Sequence, residues 1–263
     1  MKVKTVELKG NKGILKIEDT EVYFINSLRR VMLAELPKLA IDDVIIYDNT
    51  SPLFDEIISH RLGLIPIPTD LKILAFRSEC TCSGKGCPTC TVRYTLSKEG
   101  EGVVYSGDLQ PEHPSYAITE TKIPIVELTK DQRVILEVEA VLGRGRDHAK
   151  WQTVLAPRYR FDVVLSFDKK QLNDVKALVK DFPEGLVEFK GDKLHLTDGS
   201  KLAVLETYLE KMDDQLIAIT KDPAKITFTF ETDGSMSAKD ALVESAAILS
   251  KKYEEFGKLL KDI

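Results

Sequence analysis

All four cysteines of the 263-residue chain fall within eleven positions, Cys80, Cys82, Cys87 and Cys90, spaced C-x-C-x4-C-x2-C. Thiolates at this spacing are soft ligands. Gly84, Gly86 and Pro88 among them let a loop curl four sulfurs around one ion. Tetrahedral Zn2+ is the first choice, in a structural role, because four protein ligands leave no open position for a substrate water. Two other fates of the same sulfurs stay open. Cys82-x4-Cys87-x2-Cys90 matches part of the plant-type iron–sulfur spacing. That pattern needs a distant fourth cysteine and none follows Cys90, so no cluster is expected. Two disulfides would suit an oxidising compartment or a hyperthermophile.

A second stretch with chemical potential is Gly143-Arg-Gly-Arg-Asp-His-Ala-Lys-Trp151, followed by Arg158 and Arg160. No Lys-Ser/Thr pair follows it and no strand-to-helix context surrounds it, which argues against a phosphate-binding loop. Basic loops carrying an aromatic can hold nucleic-acid phosphates. A net charge of −5 tilts the reading toward protein docking, with His148 and Trp151 as anchors beside Arg144, Arg146 and Lys150. Catalytic constellations are not evident. His60, His113 and His195 have no convincing sequence partner, the carboxylates are dispersed, and neither G-x-S-x-G nor H-E-x-x-H occurs.

The elements that must position these residues read in order. Val3–Leu8 and Gly13–Ile17 form a hairpin around Gly10-Asn11-Lys12-Gly13. Asp19 or Thr20 caps a helix that ends before Pro37, with Ile25, Leu28 and Met32 on one face. Arg29 and Arg30 lie about 100° apart on it and cannot share one environment. A strand spans Ile41–Tyr47. Ser51-Pro52 opens a helix over Leu53–Leu62, with Leu53, Ile57, Ile58 and Leu62 inward. Strands follow at Val92–Leu96, Val103–Tyr105, Ile123–Val126, Val134–Ala140 and Tyr159–Phe167. Lys169–Lys180 and Ser200–Met212 are predicted helical, flanking a hairpin of Leu186–Phe189 and Lys193–Leu196.

The last stretch carries a strict a/d seam: Leu242, Ala246, Leu249, Tyr253, Phe256, Leu260 and Ile263. Ser235 or Ser237 is available as its N-cap. A helix of roughly 35–40 Å is longer than a small domain is wide, so part of the seam is expected to meet something beyond its own domain. With 43% hydrophobic and 30% charged residues the composition is that of an ordinary globular chain. No apolar run reaches about 18 residues and no signal-peptide core is seen, so a cytoplasmic location without membrane contact is expected.

Three ordered motifs carry a resemblance. Glu21-Val-Tyr-Phe-Ile-Asn-Ser-Leu-Arg-Arg-Val-Met-Leu-Ala-Glu-Leu-Pro37 resembles the first helix of the α-like subunits of multisubunit RNA polymerases. Phe54-Asp-Glu-Ile-Ile-Ser-His-Arg-Leu-Gly-Leu-Ile-Pro66 resembles that family's next hallmark, and Ile226-Thr-Phe-Thr-Phe-Glu-Thr-Asp-Gly234 with the seam helix resembles its closing elements. The likeness covers nearly the whole chain and is strongest to the archaeal D-type members, which are related to the bacterial α N-terminal domain.

The resemblance implies an α+β chain with three regions. A discontinuous dimerisation domain of antiparallel sheet and long helices would comprise 1–40, 159–168 and 222–263. A mostly-β domain, 41–158, would be inserted with its cysteine loop at 80–90. A ferredoxin-like α+β insert, 169–221, would lack the cluster cysteines found in some relatives and rely on Leu172, Val175, Leu178, Leu186, Leu194, Leu202, Leu205 and Leu209. The implied role is a non-catalytic scaffold. Ile25, Leu28, Arg29, Arg30, Met32 and the seam would pair with a small α-like L subunit. Residues 143–151 would dock on the large catalytic subunits, and small N and P subunits would also bind. Nucleotidyl transfer would then belong to the complex. An iron–sulfur redox protein and a zinc-loop nucleic-acid binder are the rival readings.

Overall fold

The computed structural model describes residues 1–211 and 216–262. Met212 and Ile263, the ends of two predicted helices, lie outside them. In chain order the elements are β1 (Lys2–Lys9), β2 (Lys12–Glu18), α1 (Val22–Ala34), β3 (Pro37–Asn49), α2 (Asp55–Gly63), β4 (Thr91–Glu99), β5 (Gly102–Tyr105) and β6 (Gln110–Pro111). There follow β7 (Pro124–Leu128), β8 (Arg133–Arg144), β9 (Val154–Ser166), α3 (Leu172–Leu178), β10 (Val187–Lys190), β11 (Lys193–Leu196), α4 (Leu202–Lys211), β12 (Ala218–Thr232) and α5 (Ala238–Leu259). The chain is thus mixed α+β, with sheets ordered β1-β2-β12-β9, β3-β8-β4-β6, β5-β7 and β10-β11. No described helix is long and apolar enough to cross a membrane.

The chain divides into two compact units. One comprises Met1–Val6, Ile14–Ile25 and Arg158–Phe228; the other comprises Glu7–Gly13, Asn26–Pro157 and Thr229–Ile263. The second is built on the long antiparallel pair β3–β8, which runs from Pro37 opposite Arg144 to Asn49 opposite Val134, with bulges at Ile41/Asp43 and Ile46/Asp48. Alternating residues of β4 and β8 (Val92, Tyr94, Leu96; Val134, Leu136, Val138, Ala140) point into one core with Ile58, Leu62, Ile65 and Ile67. In the first unit α3, α4 and the β10–β11 hairpin enclose a smaller core of Val175, Leu178, Phe182, Leu186, Leu194, Leu205 and Leu209, joined by Leu165 and Ile217. Leu172 and Leu202, expected in that core, are only half-buried.

Four local expectations need correction. The strand expected from Ile41 begins at Pro37, because a proline at the first position of a strand forfeits only a hydrogen bond that position can spare. The helix expected from Leu53 begins at Asp55, and Phe54 at its N-cap supplies no side-chain cap. Ser51 does not cap it either: its hydroxyl bonds Asn49 Oδ1 at 2.6 Å and so closes a turn of its own. Ile58 and Leu62 face inward, but Ile57 is exposed.

Candidate metal centre and interface residues

Local backbone geometry gathers the four sulfurs. Cys90 is the residue before β4, and the N–H groups of Cys90 and Thr91 both donate to the Cys87 carbonyl at 2.9 Å. At the other side Ser83 N–H donates to Cys80 O at 3.0 Å and Lys85 N–H to Cys82 O at 3.3 Å. The reversal between these turns needs left-handed backbone at Ser83, Gly84 and Gly86 (φ 54°, 81° and 82°), which glycine adopts without steric cost. The Sγ atoms of Cys80 and Cys87 lie 3.5 Å apart, those of Cys82 and Cys90 3.6 Å, and those of Cys87 and Cys90 3.9 Å. All four lie within 4.8 Å of one another, and none is joined in a disulfide. Four sulfurs at about 2.3 Å from one zinc would stand roughly 3.8 Å apart, so the donor set fits such an ion.

Electrostatics agree with the need for a cation. The Cys87 backbone N–H, helped by Cys80, Cys90 and the Gly86 N–H, outweighs burial and brings the Cys82 thiol down to about 6. The Thr89 N–H and Cys80 lower Cys87 as well. The Cys82 N–H pulls Cys80 the same way. The hydrogen bond to Cys87, burial and the other thiols prevail there and push Cys80 up to about 11. Cys82 and Cys87 therefore give up their protons more easily than an ordinary thiol, while Cys80 resists losing its own unless a positive ion joins it.

Arg77, which no spacing rule singles out, ties this loop to the sheet. Its Nε donates to Gly84 O at 3.1 Å, and its Nη1 reaches Glu139 of β8 at 3.3 Å and Asp43 of β3 at 3.7 Å. Arg93 of β4 grips the same Glu139 at 2.9 Å.

The cations of the basic segment make contacts within their own unit. The Arg144 guanidinium stacks 4.2 Å from the Phe76 ring centroid. Arg146 pairs with Glu35 at 3.4 Å, and Lys150 reaches Asp42 at 2.5 Å while lying 4.4 Å from the Trp151 ring centroid. Trp151 is half-buried, its indole N–H donating to Val141 O at 3.1 Å, and exposed His148 uses Nδ1 to accept the Lys150 N–H. Arg146 and Lys150 thus have carboxylate partners, whereas Arg144 keeps its charge against the Phe76 ring. Lys38, only 2% exposed, pairs with Asp233 and donates to Lys150 O at 2.9 Å.

On the helices, the structure separates residues that the sequence groups together. Ile25, Leu28 and Met32 of α1 are buried, and Arg29 is half-buried with Nη2 on Asn26 Oδ1 at 2.9 Å, whereas Arg30 is exposed. Ser237 caps α5 by accepting the Asp240 N–H. The inward face of α5 is Ala238, Ala241, Ser245 and Leu249. Of the seam, Leu249 is 7% exposed and Leu242 half-buried, Ala246 is exposed, and the last two turns leave Tyr253 53%, Phe256 58% and Leu260 53% exposed. Lys252 on the same turns pairs with Glu35 at 3.0 Å.

Residues 41–163 match the family model described as the RNA polymerase Rpb3/RpoA insert domain. Full-length relatives are DNA-directed RNA polymerase subunits Rpo3. That of Picrophilus torridus is 34% identical, with 98% of each chain covered. The Methanosphaera stadtmanae protein is 36% identical, over 97% of this chain and 96% of its own. The Methanosarcina acetivorans protein is also 36% identical, over 100% and 99%. With that identity along its whole length, and the insert-domain match falling on the region that holds the cysteine loop, the chain belongs to the Rpo3 (D) family of archaeal DNA-directed RNA polymerase subunits.

Proposed function

We propose that the chain is a non-catalytic assembly subunit of its polymerase, pairing with a small α-like L subunit through the outer half of α5. The observation that carries this is the run of Tyr253, Phe256 and Leu260, with Leu259 beside them, exposed on a helix whose inner turns are anchored by Leu249. A row of apolar side chains at a/d spacing is stable in water when a second helix covers it. On α1 the exposed Arg30 would reach the partner, while Ile25, Leu28 and Met32 hold that helix in place from within. The dimerisation region would be 1–40, 159–168 and 222–263, and the small core around Val175 and Leu205 would be the ferredoxin-like insert, 169–221. The resulting heterodimer would receive the two large catalytic subunits along Arg144, Arg146, His148, Lys150 and Trp151, and the small N and P subunits elsewhere. Templated nucleotidyl transfer would then be the work of the complex.

In this reading Cys80, Cys82, Cys87 and Cys90 hold one zinc ion, whose bonds to sulfur brace a loop too short to build a core. A multi-iron cluster places its own irons and sulfides between the thiolates, and sulfurs this close favour a single ion. The test is native mass spectrometry after co-expression with the small α-like subunit of the same organism, with metal analysis of the product. A 1:1 heterodimer containing one zinc is expected, and Phe256→Glu should leave monomers. A heterodimer that survives Phe256→Glu would sink the interface, and iron in place of zinc would sink the metal assignment.

A further inference from the structure

The sulfurs of the cysteine loop form two close pairs, and each joins a buried sulfur to a more accessible one. Buried Cys80 faces half-buried Cys87 at 3.5 Å, and buried Cys90 faces half-buried Cys82 at 3.6 Å. We propose that the loop is also an oxidation site at which peroxide converts the four thiolates into two interlaced disulfides, Cys80–Cys87 and Cys82–Cys90, and expels the ion. This rests on the metal reading above for the reduced state.

The pairing follows from access and distance. The accessible thiolate of each pair meets peroxide first; its sulfur attacks one oxygen, the O–O bond breaks, and a sulfenic acid and a hydroxide result. The buried partner then attacks that sulfur, forming the S–S bond and releasing a second hydroxide. The two thiolates of each pair thus give two electrons to one peroxide as they become a disulfide, and two peroxides serve the loop. Zinc leaves because a disulfide sulfur is no longer a thiolate ligand.

Closing each pair to about 2.05 Å asks for roughly 1.5 Å of sulfur movement, within the reach of side-chain rotation. The backbone between the pairs has the freedom of Gly84 and Gly86 and is held from outside by Arg77 on the Gly84 carbonyl. Because the two links would cross in sequence, the oxidised loop stays closed without metal. The loop then has two closed states, zinc-held and disulfide-held, exchanged by oxidation and reduction.

The experiment titrates the full-length, metal-loaded chain with hydrogen peroxide, reading zinc release with a chelating dye and thiols by alkylation and intact mass. About two equivalents should release the zinc and remove all four thiols. Peptide mapping should show Cys80–Cys87 and Cys82–Cys90, and dithiothreitol with zinc should restore the starting state. Cys80→Ser should leave Cys87 as a sulfenic acid trapped by dimedone, with the Cys82–Cys90 link still formed. A Cys87–Cys90 link, sulfinic acids in place of disulfides, or zinc retained against excess peroxide would overturn the proposal. A chain that carries no zinc yet forms the two mapped links removes the metal reading and keeps the pairing. One that holds zinc and never forms them does the reverse.

Discussion

Gly145 lies so close to the end of α1 that a β-carbon on it would stand 2.0 Å from the Leu33 carbonyl oxygen. The neighbouring Gly143 has a similar relation to Trp151, whose ring atoms would lie 2.2 Å and 2.3 Å from an added carbon. These glycines make the basic segment a close-packed layer between α1 and the indole. Gly145→Ala is expected to cost at least about 2 kcal/mol, because the obstacle is backbone and cannot rotate away. Gly143→Ala should cost less if Trp151 gives way, with a shift in its fluorescence. Urea midpoints of the two variants check the order.

Lys38 and Asp233 bring together the start of β3, the turn after β12 and, through Lys150 O, the basic segment. Asp233 is further held by the Ser235 hydroxyl at 2.6 Å. A lysine this deeply buried is tolerable only with its counter-charge. Lys38→Met should therefore destabilise by about 3 kcal/mol or more, because Asp233 is left charged without its partner. Adding Asp233→Asn should recover part of that loss. Equal and additive costs in a thermal-denaturation cycle would contradict this account.

Glu35 sits where the basic segment and α5 converge, accepting from Arg146 and Lys252. Burial by itself would raise its carboxyl pKa, but Lys252, Arg146 and Arg144 outweigh that and hold it below the ordinary 4.5. A carboxylate depressed on folding contributes stability at pH values above its unfolded pKa. That contribution is lost as pH falls through the folded value. The stability gap between the native chain and Glu35→Gln should thus be constant near neutral pH and close as pH drops below the ordinary value of about 4.5. Its size should be only about 0.5–1 kcal/mol, since both cations are half-exposed. A gap that widens in acid would reverse the sign of the interaction.

Much of this was legible where the signal is local. The C-x-C-x4-C-x2-C spacing foretells a sulfur cluster, Ser235 or Ser237 foretells the start of α5, where Ser237 is the cap, and the short gap between Phe189 and Lys193 foretells the β10–β11 turn, because each depends on residues within a few positions. What spacing could not supply is which of two apolar stripes faces inward. On α5 the inward face is Ala238, Ala241, Ser245 and Leu249, weakly apolar and sharing only Leu249 with the a/d seam, so the seam is buried at Leu249 and exposed at Tyr253, Phe256 and Leu260. Arg77 with Gly84, Lys38 with Asp233 and Glu35 with Lys252 pair across long separations that no periodicity encodes. Of the long β12 only the part from Ile226 was legible, as a closing element; the strand begins at Ala218 and runs through Lys221-Asp222-Pro223.

The offset on α5 separates two kinds of damage that the seam alone would merge. Leu249 is buried within the chain, whereas Phe256, two turns on, is 58% exposed. Leu249→Glu puts a charge into the chain's own core and should lower the stability of the isolated chain by about 3 kcal/mol or more. Phe256→Glu exchanges one wet side chain for another and should leave the isolated chain within about 0.5 kcal/mol of native. Differential scanning calorimetry of the two variants, without any partner, reads the contrast directly. If both melted early, Phe256 would be packed on its own chain and the outer half of α5 would have no free face. If neither did, Leu249 would not be the anchor, and the inward face would have to be Ala238, Ala241 and Ser245 alone.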